Sequence, residues 1–173
     1  MKAAYSAIGS SYVYCLRGLN AVSVGLIFFT ALWIFGDITG RFFFNHPIPG
    51  TMELIKTIII PIIFFSLPNT LHENRHIQTT IIVRRLPPSL LPWLNVLIAL
   101  VGALIFLAVC RYGWDAAWKS WIMREFEGVQ LRVPVYPSRF SIVLGSALMV
   151  IEFTRILVND LRNAMGRKRG GDR

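Results

Sequence analysis

Four apolar segments, each long enough to cross a lipid bilayer, constrain this 173-residue chain more than any other feature of its sequence. They lie at about residues 19–36, 54–71, 90–110 and 140–158. A helix needs about 20 predominantly apolar residues to cross the hydrocarbon core, where all its backbone polar groups must bond within the protein. The sequence therefore predicts an all-α integral membrane protein, with residues 1–173 as a single membrane domain of four transmembrane helices.

The overall composition supports the same class of protein. The chain is 54% hydrophobic and only 16% charged, with a mean hydropathy of +0.55, which is too apolar for a soluble domain of this size. A net charge of +9 would indicate nucleic acid as the partner of a soluble protein. Here the basic residues gather between and after the apolar segments, where they orient a membrane protein, so we expect no nucleic-acid partner.

The ends of the spans carry few special features. Lys2 and Arg17 flank an N-terminal stretch without a long apolar core, which argues against a short cleaved signal peptide. Cys15 and Cys110 lie near the ends of the first and third spans and match no metal or redox spacing. We interpret both cysteines as small apolar residues.

Two amphipathic segments predict additional helices that lie in the headgroup plane and contact membrane lipid. Residues 77–86 carry isoleucine and leucine at helical spacing with arginines away from them, and Pro87 and Pro88 follow. In residues 114–123, one helical face carries three tryptophans, which suits an anchor at the membrane interface: Trp114, Trp118 and Trp121.

The connection after the first span has local signals of its own. Asp37 and Arg41 are four residues apart and can pair where their helix leaves the hydrocarbon. Thr51 is placed to cap the second helix, and Glu53 in its first turn suits the positive end of the helix dipole. Contact with a partner is the alternative role for Glu53.

Four spans put both termini on one side of the membrane. With the termini in the cytoplasm, ten basic residues lie inside, namely Lys2, Arg17, Arg75, Arg84, Arg85, Arg162, Arg167, Lys168, Arg169 and Arg173. Six lie outside, namely Arg41, Arg111, Lys119, Arg124, Arg132 and Arg139. The excess of positive charge inside predicts cytoplasmic termini.

Residues 72–76, His-Glu-Asn-Arg-His, match the H-E-x-x-H pattern, in which two imidazoles one turn apart bind zinc and the glutamate activates water. A membrane zinc metalloprotease that uses His72, Glu73 and His76 is therefore an alternative function. Catalytic zinc needs a third protein ligand, and the other histidine, His46, falls on the opposite side of the membrane in this topology. We therefore expect no metal, no cofactor and no enzymatic activity.

Glu152 lies inside the fourth span, close to Arg155. Intramembrane charges are costly and usually paired, so an internal salt bridge with Arg155 is the first interpretation and a contact to another subunit is the second.

A set of motifs resembles the small membrane subunit of the tripartite ATP-independent periplasmic (TRAP) transporters, the DctQ-like family. The set comprises Arg41-Phe-x4-Pro-Ile-Pro, Glu53-Leu54, Arg75-His76-Ile77, Leu86-Pro87 and a proline-marked loop before the fourth span. The resemblance implies a bacterial inner-membrane protein that supports a large membrane subunit, which carries the sodium-coupled substrate site. It also implies a periplasmic substrate-binding protein that delivers an organic acid, such as a carboxylate or a sugar acid.

Contact between helices in lipid depends on close packing and a few polar groups, because burial of apolar surface gains little there. We therefore expect contacts to the large subunit at polar positions and at small residues. The polar candidates are Glu53, Arg75, His76 and Glu152, and the small ones are Gly145 and Ser146, with Gly25 and Ala147 as further packing positions.

Overall fold

The computed structural model describes residues 2–73, 91–128 and 132–169 of the chain. It contains the helices α1 (Lys2–Phe44), α2 (Thr51–Glu73), α3 (Leu91–Ile122) and α4 (Tyr136–Arg169). Two short antiparallel strands, β1 (Phe126–Glu127) and β2 (Val133–Pro134), lie between α3 and α4. Each of the four helices is long and apolar enough to cross a membrane. The predicted all-α fold with four transmembrane helices is confirmed.

The helices are longer than the predicted spans. At 1.5 Å per residue, the 43 residues of α1 extend about 65 Å and the 32 residues of α3 about 48 Å, against a hydrocarbon core of about 30 Å. These helices must therefore tilt or continue beyond the hydrocarbon.

The predicted separate interfacial helix at residues 114–123 is not separate in the structure. Residues 114–122 are the last turns of α3, which continues through Cys110 without a break. No proline interrupts the helix after Trp93, and an ion pair of 2.6 Å between Arg111 and Asp115 spans the expected boundary. The other predicted interfacial helix, residues 77–86, lies outside the described residues.

The turn from α1 to α2 uses two left-handed backbone positions. Asn45 has a φ of 51° directly after α1, and Gly50 has a φ of 82° directly before α2. The carbonyl of Gly50 accepts the first helical bond, from the amide of Leu54 at 3.0 Å. Thr51 was predicted to cap α2, but its hydroxyl donates to the carbonyl of Ile48 in the loop, at 3.1 Å.

The end of α3 is a Schellman motif. Arg124 adopts a left-handed conformation with a φ of 46°, and its amide donates to the carbonyl of Trp121 at 3.3 Å. The amide of Glu125 donates to the carbonyl of Ser120 at 3.1 Å, which completes the motif. The chain then enters the strand pair, and Arg139 of α4 donates to the carboxylate of Glu125 at 2.9 Å.

The four helices pack in a row, with α1 against α2, α2 against α4 and α4 against α3. Helices α3 and α4 form an antiparallel hairpin, with Phe106 stacked on Phe153 midway along it and Trp121 against Tyr136 at its connected end. Helix α4 has a neighbour on both sides and is the most buried of the four. The outer helices α1 and α3 expose broad apolar faces, which suits a protein surrounded by lipid or by another membrane subunit.

Candidate functional site

Three helices meet at the carboxylate of Glu152, which is fully buried in α4. One carboxylate oxygen lies 2.9 Å from Nδ1 of His72, the penultimate residue of α2. The other oxygen accepts a hydrogen bond of 3.1 Å from the hydroxyl of Tyr12 in α1. We call these three side chains the inner cluster. It links α4 to both helices of the first hairpin.

The inner cluster places polar partners on the Glu152 carboxylate, whose burial inside a membrane would otherwise be very costly. Nδ1 of His72 and the carboxylate oxygen that it faces are within hydrogen-bond distance, and an imidazole nitrogen that carries a proton donates to such an oxygen. Tyr12 supplies a second donor to the same carboxylate. A buried acid with a donor on each oxygen can hold helices together, whereas an unpaired one would destabilise them.

The predicted ion pair between Glu152 and Arg155 is not the one that forms. Glu152 points towards α1 and α2, whereas Arg155 is exposed, with its guanidinium carbon 5.9 Å from the centre of the Tyr12 ring. Side chains three residues apart are adjacent on the surface of a helix, but a neighbouring helix can cover one of them and leave the other exposed. Here α1 and α2 enclose the acid, and the arginine lies at the edge.

A second polar site lies at the opposite end of the first hairpin. The carboxylate of Asp37, which is 5% exposed, accepts bonds of 2.9 Å from Arg41 and of 2.8 Å from the amide of Ile48. The predicted pairing of Asp37 with Arg41 is confirmed. We call Asp37, Arg41 and the Ile48 amide the turn cluster, since they fix the turn between α1 and α2.

Helices α2 and α4 cross closely at Gly145. A Cβ atom added there would clash with the carbonyl oxygen of Phe64 and lie 2.7 Å from the Phe64 Cβ. Pro68 lacks the N–H that would bond to that carbonyl four residues earlier, which leaves the Phe64 oxygen facing α4. Seven residues along α4 lies Glu152, and eight residues along α2 lies His72. The glycine crossing therefore sets the spacing at which the inner cluster forms.

The predicted partner contacts divide into three groups. Gly145, Ser146 and Glu152 are occupied within the chain, since Gly145 contacts α2 and the other two are fully buried. Because α4 lies between α2 and α3, these residues contact helices of their own chain, and a contact with another subunit stays a prediction. Glu53 is half-buried, and within the described part of the chain its carboxylate has no hydrogen-bond or ion-pair partner.

The remaining candidates are more open or lie elsewhere. Arg75 and His76 lie outside the described residues. Gly25 has no atom within 4 Å of an added Cβ, so it is open to a neighbour, and Ala147 is half-buried.

An aromatic cluster lies where α3 and α4 approach the strand pair. Trp114 stacks on Trp118 with ring centres 6.1 Å apart, and Phe140 lies edge-on to both Trp114 and Trp121. The three tryptophans are each about half exposed, at 49%, 51% and 52%. Packed, half-exposed indole rings are typical of the aromatic belts at membrane interfaces, and the anchoring role stays a prediction.

The structure gives His72 a role that the H-E-x-x-H pattern did not suggest. Its Nδ1 is engaged by Glu152, and Glu73 is the exposed last residue of α2. The second histidine of the pattern, His76, lies outside the described residues. Within the part that the structure describes, no group of three His, Cys, Asp or Glu side chains could hold a metal ion.

Comparison with known proteins identifies the family of this chain. Residues 30–163 match the sequence profile of the DctQ component of tripartite ATP-independent periplasmic transporters. The chain belongs to the DctQ family. It is also similar to a protein of Haemophilus influenzae described as a TRAP transporter small permease, with 25% identity over 72 residues. The match covers 42% of this chain and 45% of that relative's length. The family predicted from the motif resemblance is confirmed, and the chain's four long apolar helices suit a multi-pass membrane protein.

Sequence reasoning missed Tyr12 and His72 as partners of Glu152. A usable signal was present, because a buried acid near the C-terminal end of the fourth span requires donors at the same depth. In the four-span topology, His72 ends the second span and Tyr12 precedes the first, so both fall at that end. A search for hydrogen-bond donors at the same membrane depth as Glu152 would have found both residues, in addition to Arg155.

Proposed function

We propose that this DctQ-family chain is the small permease subunit of a TRAP transporter. In this role it supports the large membrane subunit in sodium-coupled uptake of an organic acid, a carboxylate or a sugar acid, that a periplasmic substrate-binding protein delivers. The family match over residues 30–163 carries the proposal. The chain binds no nucleic acid and performs no enzymatic step in this scheme.

The arrangement of the helices supports a structural role. The row of four helices presents wide apolar faces on α1 and α3, as a membrane scaffold would. The two buried acids, Asp37 and Glu152, use donors of the chain itself and join its own helices. Contacts to the large subunit are then expected from Glu53, whose carboxylate has no partner within the described residues, and from the open Gly25, together with Arg75 and His76.

The orientation proposed for the chain has both termini in the cytoplasm of a bacterium, with four spans through its inner membrane. The excess of Lys and Arg on the side of the termini supports this orientation. A reporter fused after Arg173 should be active only in its cytoplasmic form. One inserted near Gly128 should be active only in its periplasmic form, and the opposite pattern at either position would contradict the orientation.

The functional proposal is tested by reconstituting uptake. Co-expression with the large subunit should give a complex that survives purification in detergent. Proteoliposomes with the large subunit and the binding protein should take up substrate along a sodium gradient only when this chain is present. Full uptake without this chain would refute the supporting role, and uptake that ignores the sodium gradient would refute the coupling alone.

A further inference from the structure

An exposed stripe on α4 combines apolar and basic side chains. Ile151, Arg155, Val158 and Arg162 are separated by four, three and four residues, so they lie on one helical face. Ile151 is 50% exposed and Val158 is 45% exposed, and both arginines are exposed as well. We call these four residues the α4 stripe. It begins beside the inner cluster and continues towards the C-terminal end of α4.

Arg155 is a cation without a counter-ion within the described part of the chain. The nearest acid on its helix, Glu152, is already bonded to His72 and Tyr12, and the next, Asp160, is half-buried and has an interaction of its own. The contact made by Arg155 is with the Tyr12 ring, 5.9 Å from the ring centre. Stacking on one face of the guanidinium leaves the N–H groups at its edge free to donate.

The depth of Arg155 in the membrane indicates which kind of anion it can bind. It lies within the fourth membrane-spanning helix, one turn beyond the acid that pairs with His72 at the end of α2. A long basic side chain there extends towards the phosphates of the nearest leaflet. Ile151 and Val158, on either side of Arg155, offer apolar contact to acyl chains and none to a dissolved ion.

From these observations we propose that the α4 stripe binds an anionic phospholipid in the leaflet at the α2 C-terminal end, with the lipid phosphate on the guanidinium of Arg155. Tyr12 orients the guanidinium, and Arg162 lies about two turns closer to the solvent, where the headgroup's outer part would lie. Tyr12 therefore has two roles, because its hydroxyl bonds to Glu152 and its ring positions Arg155 for the lipid. The proposal does not depend on which transporter subunit the chain supports.

Native mass spectrometry of the full chain, delipidated in detergent, provides the test. Phosphatidylglycerol should bind about fivefold more tightly than phosphatidylcholine with the same acyl chains, as expected for one basic residue near an anionic surface. Arg155→Gln should remove that preference. Arg111→Gln removes an exposed arginine that already pairs with Asp115 away from the stripe, so it should leave the preference intact. Equal binding of the two lipids to the unmodified chain, or a preference retained by Arg155→Gln, would overturn the proposal.

Two tyrosine variants separate the ring from its hydroxyl. Both Tyr12→Phe and Tyr12→Leu lose the bond to Glu152, but only the second loses the ring beneath Arg155. The lipid preference should survive the first and fall about threefold in the second, which is the scale of an exposed cation–π contact. An equal loss in both variants would show that the ring does not position Arg155.

The source of the phosphate and the integrity of the variants are checked separately. Glycerol phosphate should not displace phosphatidylglycerol, and displacement at matched concentration would point to a site for a free anion. A photo-reactive residue in place of Val158 should label lipid in membranes that contain the whole transporter, whereas labelling of another protein chain would overturn the proposal. If Arg155→Gln aggregates, Val158→Glu puts a competing carboxylate beside Arg155 and should abolish the preference in the same assay.

Discussion

The two buried carboxylates of this DctQ-family protein are satisfied in opposite ways. Asp37 is bonded by Arg41, four residues away, and by the amide of Ile48, eleven residues away. Glu152 is bonded by His72 and Tyr12, which are 80 and 140 residues away. The turn cluster therefore fixes the local geometry of one hairpin. The inner cluster fixes how that hairpin meets α4.

The surroundings of the donors differ as well. The side chain of Arg41 is 52% exposed, so solvent screens its attraction to Asp37. The His72 side chain is 26% exposed, and the Glu152 side chain that it contacts is fully buried. Removal of one partner from a buried, hydrogen-bonded pair leaves the other group buried without a bond, and this costs more than the loss of a partner at the surface. We therefore expect loss of a side chain in the inner cluster to lower the free energy of unfolding more than loss of one in the turn cluster.

Removal of the Glu152 carboxylate should have the largest effect. Glu152→Ala deletes the acceptor of two long-range bonds and leaves Tyr12 and His72 without a partner. We expect a loss of about 3 kcal/mol in the free energy of unfolding, the upper range for hydrogen bonds to a charged group. Reversible unfolding in mixed detergent and SDS micelles, followed by tryptophan fluorescence, measures the change.

A double-mutant cycle makes this comparison sharper. If the bond to His72 carries much of the effect, Glu152→Ala combined with His72→Ala should cost less than the two separate changes added together. An additive result would mean that the contact between the two side chains contributes nothing to stability. The same cycle on Asp37 and Arg41 should give a smaller coupling, below about 0.5 kcal/mol.

The close crossing at Gly145 should rank second. Gly145→Ala places a methyl group against the carbonyl of Phe64, so α4 must move away from α2 and carry Glu152 away from His72. We expect a loss of about 2 kcal/mol, within the range for overpacking of a tight contact. Gly25→Ala is the matched control, because nothing lies within 4 Å of its added Cβ. The same SDS titration compares them, and equal effects of the two changes would contradict a tight crossing.

The transmembrane helices could be predicted from the sequence because their length and apolar character are local properties. The pairing of Asp37 with Arg41 was also within reach, since a spacing of four residues places two side chains on one helical face. The continuity of α3 does not follow from composition, because the polar residues after Cys110 favour the end of a span. Polarity marks the end of the hydrocarbon, and a helix can continue past it.

The order of the helices could not be predicted in the same way. In a soluble helix an apolar stripe indicates the packed face, but a helix in lipid is apolar on every side. The sequence therefore indicated that Gly145, Ser146 and Glu152 face a neighbour, without indicating whether that neighbour is α2 or another subunit. Only the row arrangement, with α4 between α2 and α3, assigns these residues to contacts within the chain. The resemblance to the DctQ family was confirmed, but it described the role of the chain rather than these contacts.

The turn cluster should give the smallest effects and offers an internal comparison. Asp37→Ala removes the acceptor of both the Arg41 bond and the Ile48 amide bond, so we expect a loss of about 1.5 kcal/mol. Arg41→Gln removes only the exposed partner and leaves the Ile48 bond in place, so its cost should be below about 0.5 kcal/mol. Unfolding in SDS measures both changes. If Arg41→Gln cost as much as Asp37→Ala, the exposed ion pair rather than the buried amide bond would stabilise the turn. The contrast with Glu152 would then rest on the distance between partners in the sequence and not on their exposure to water.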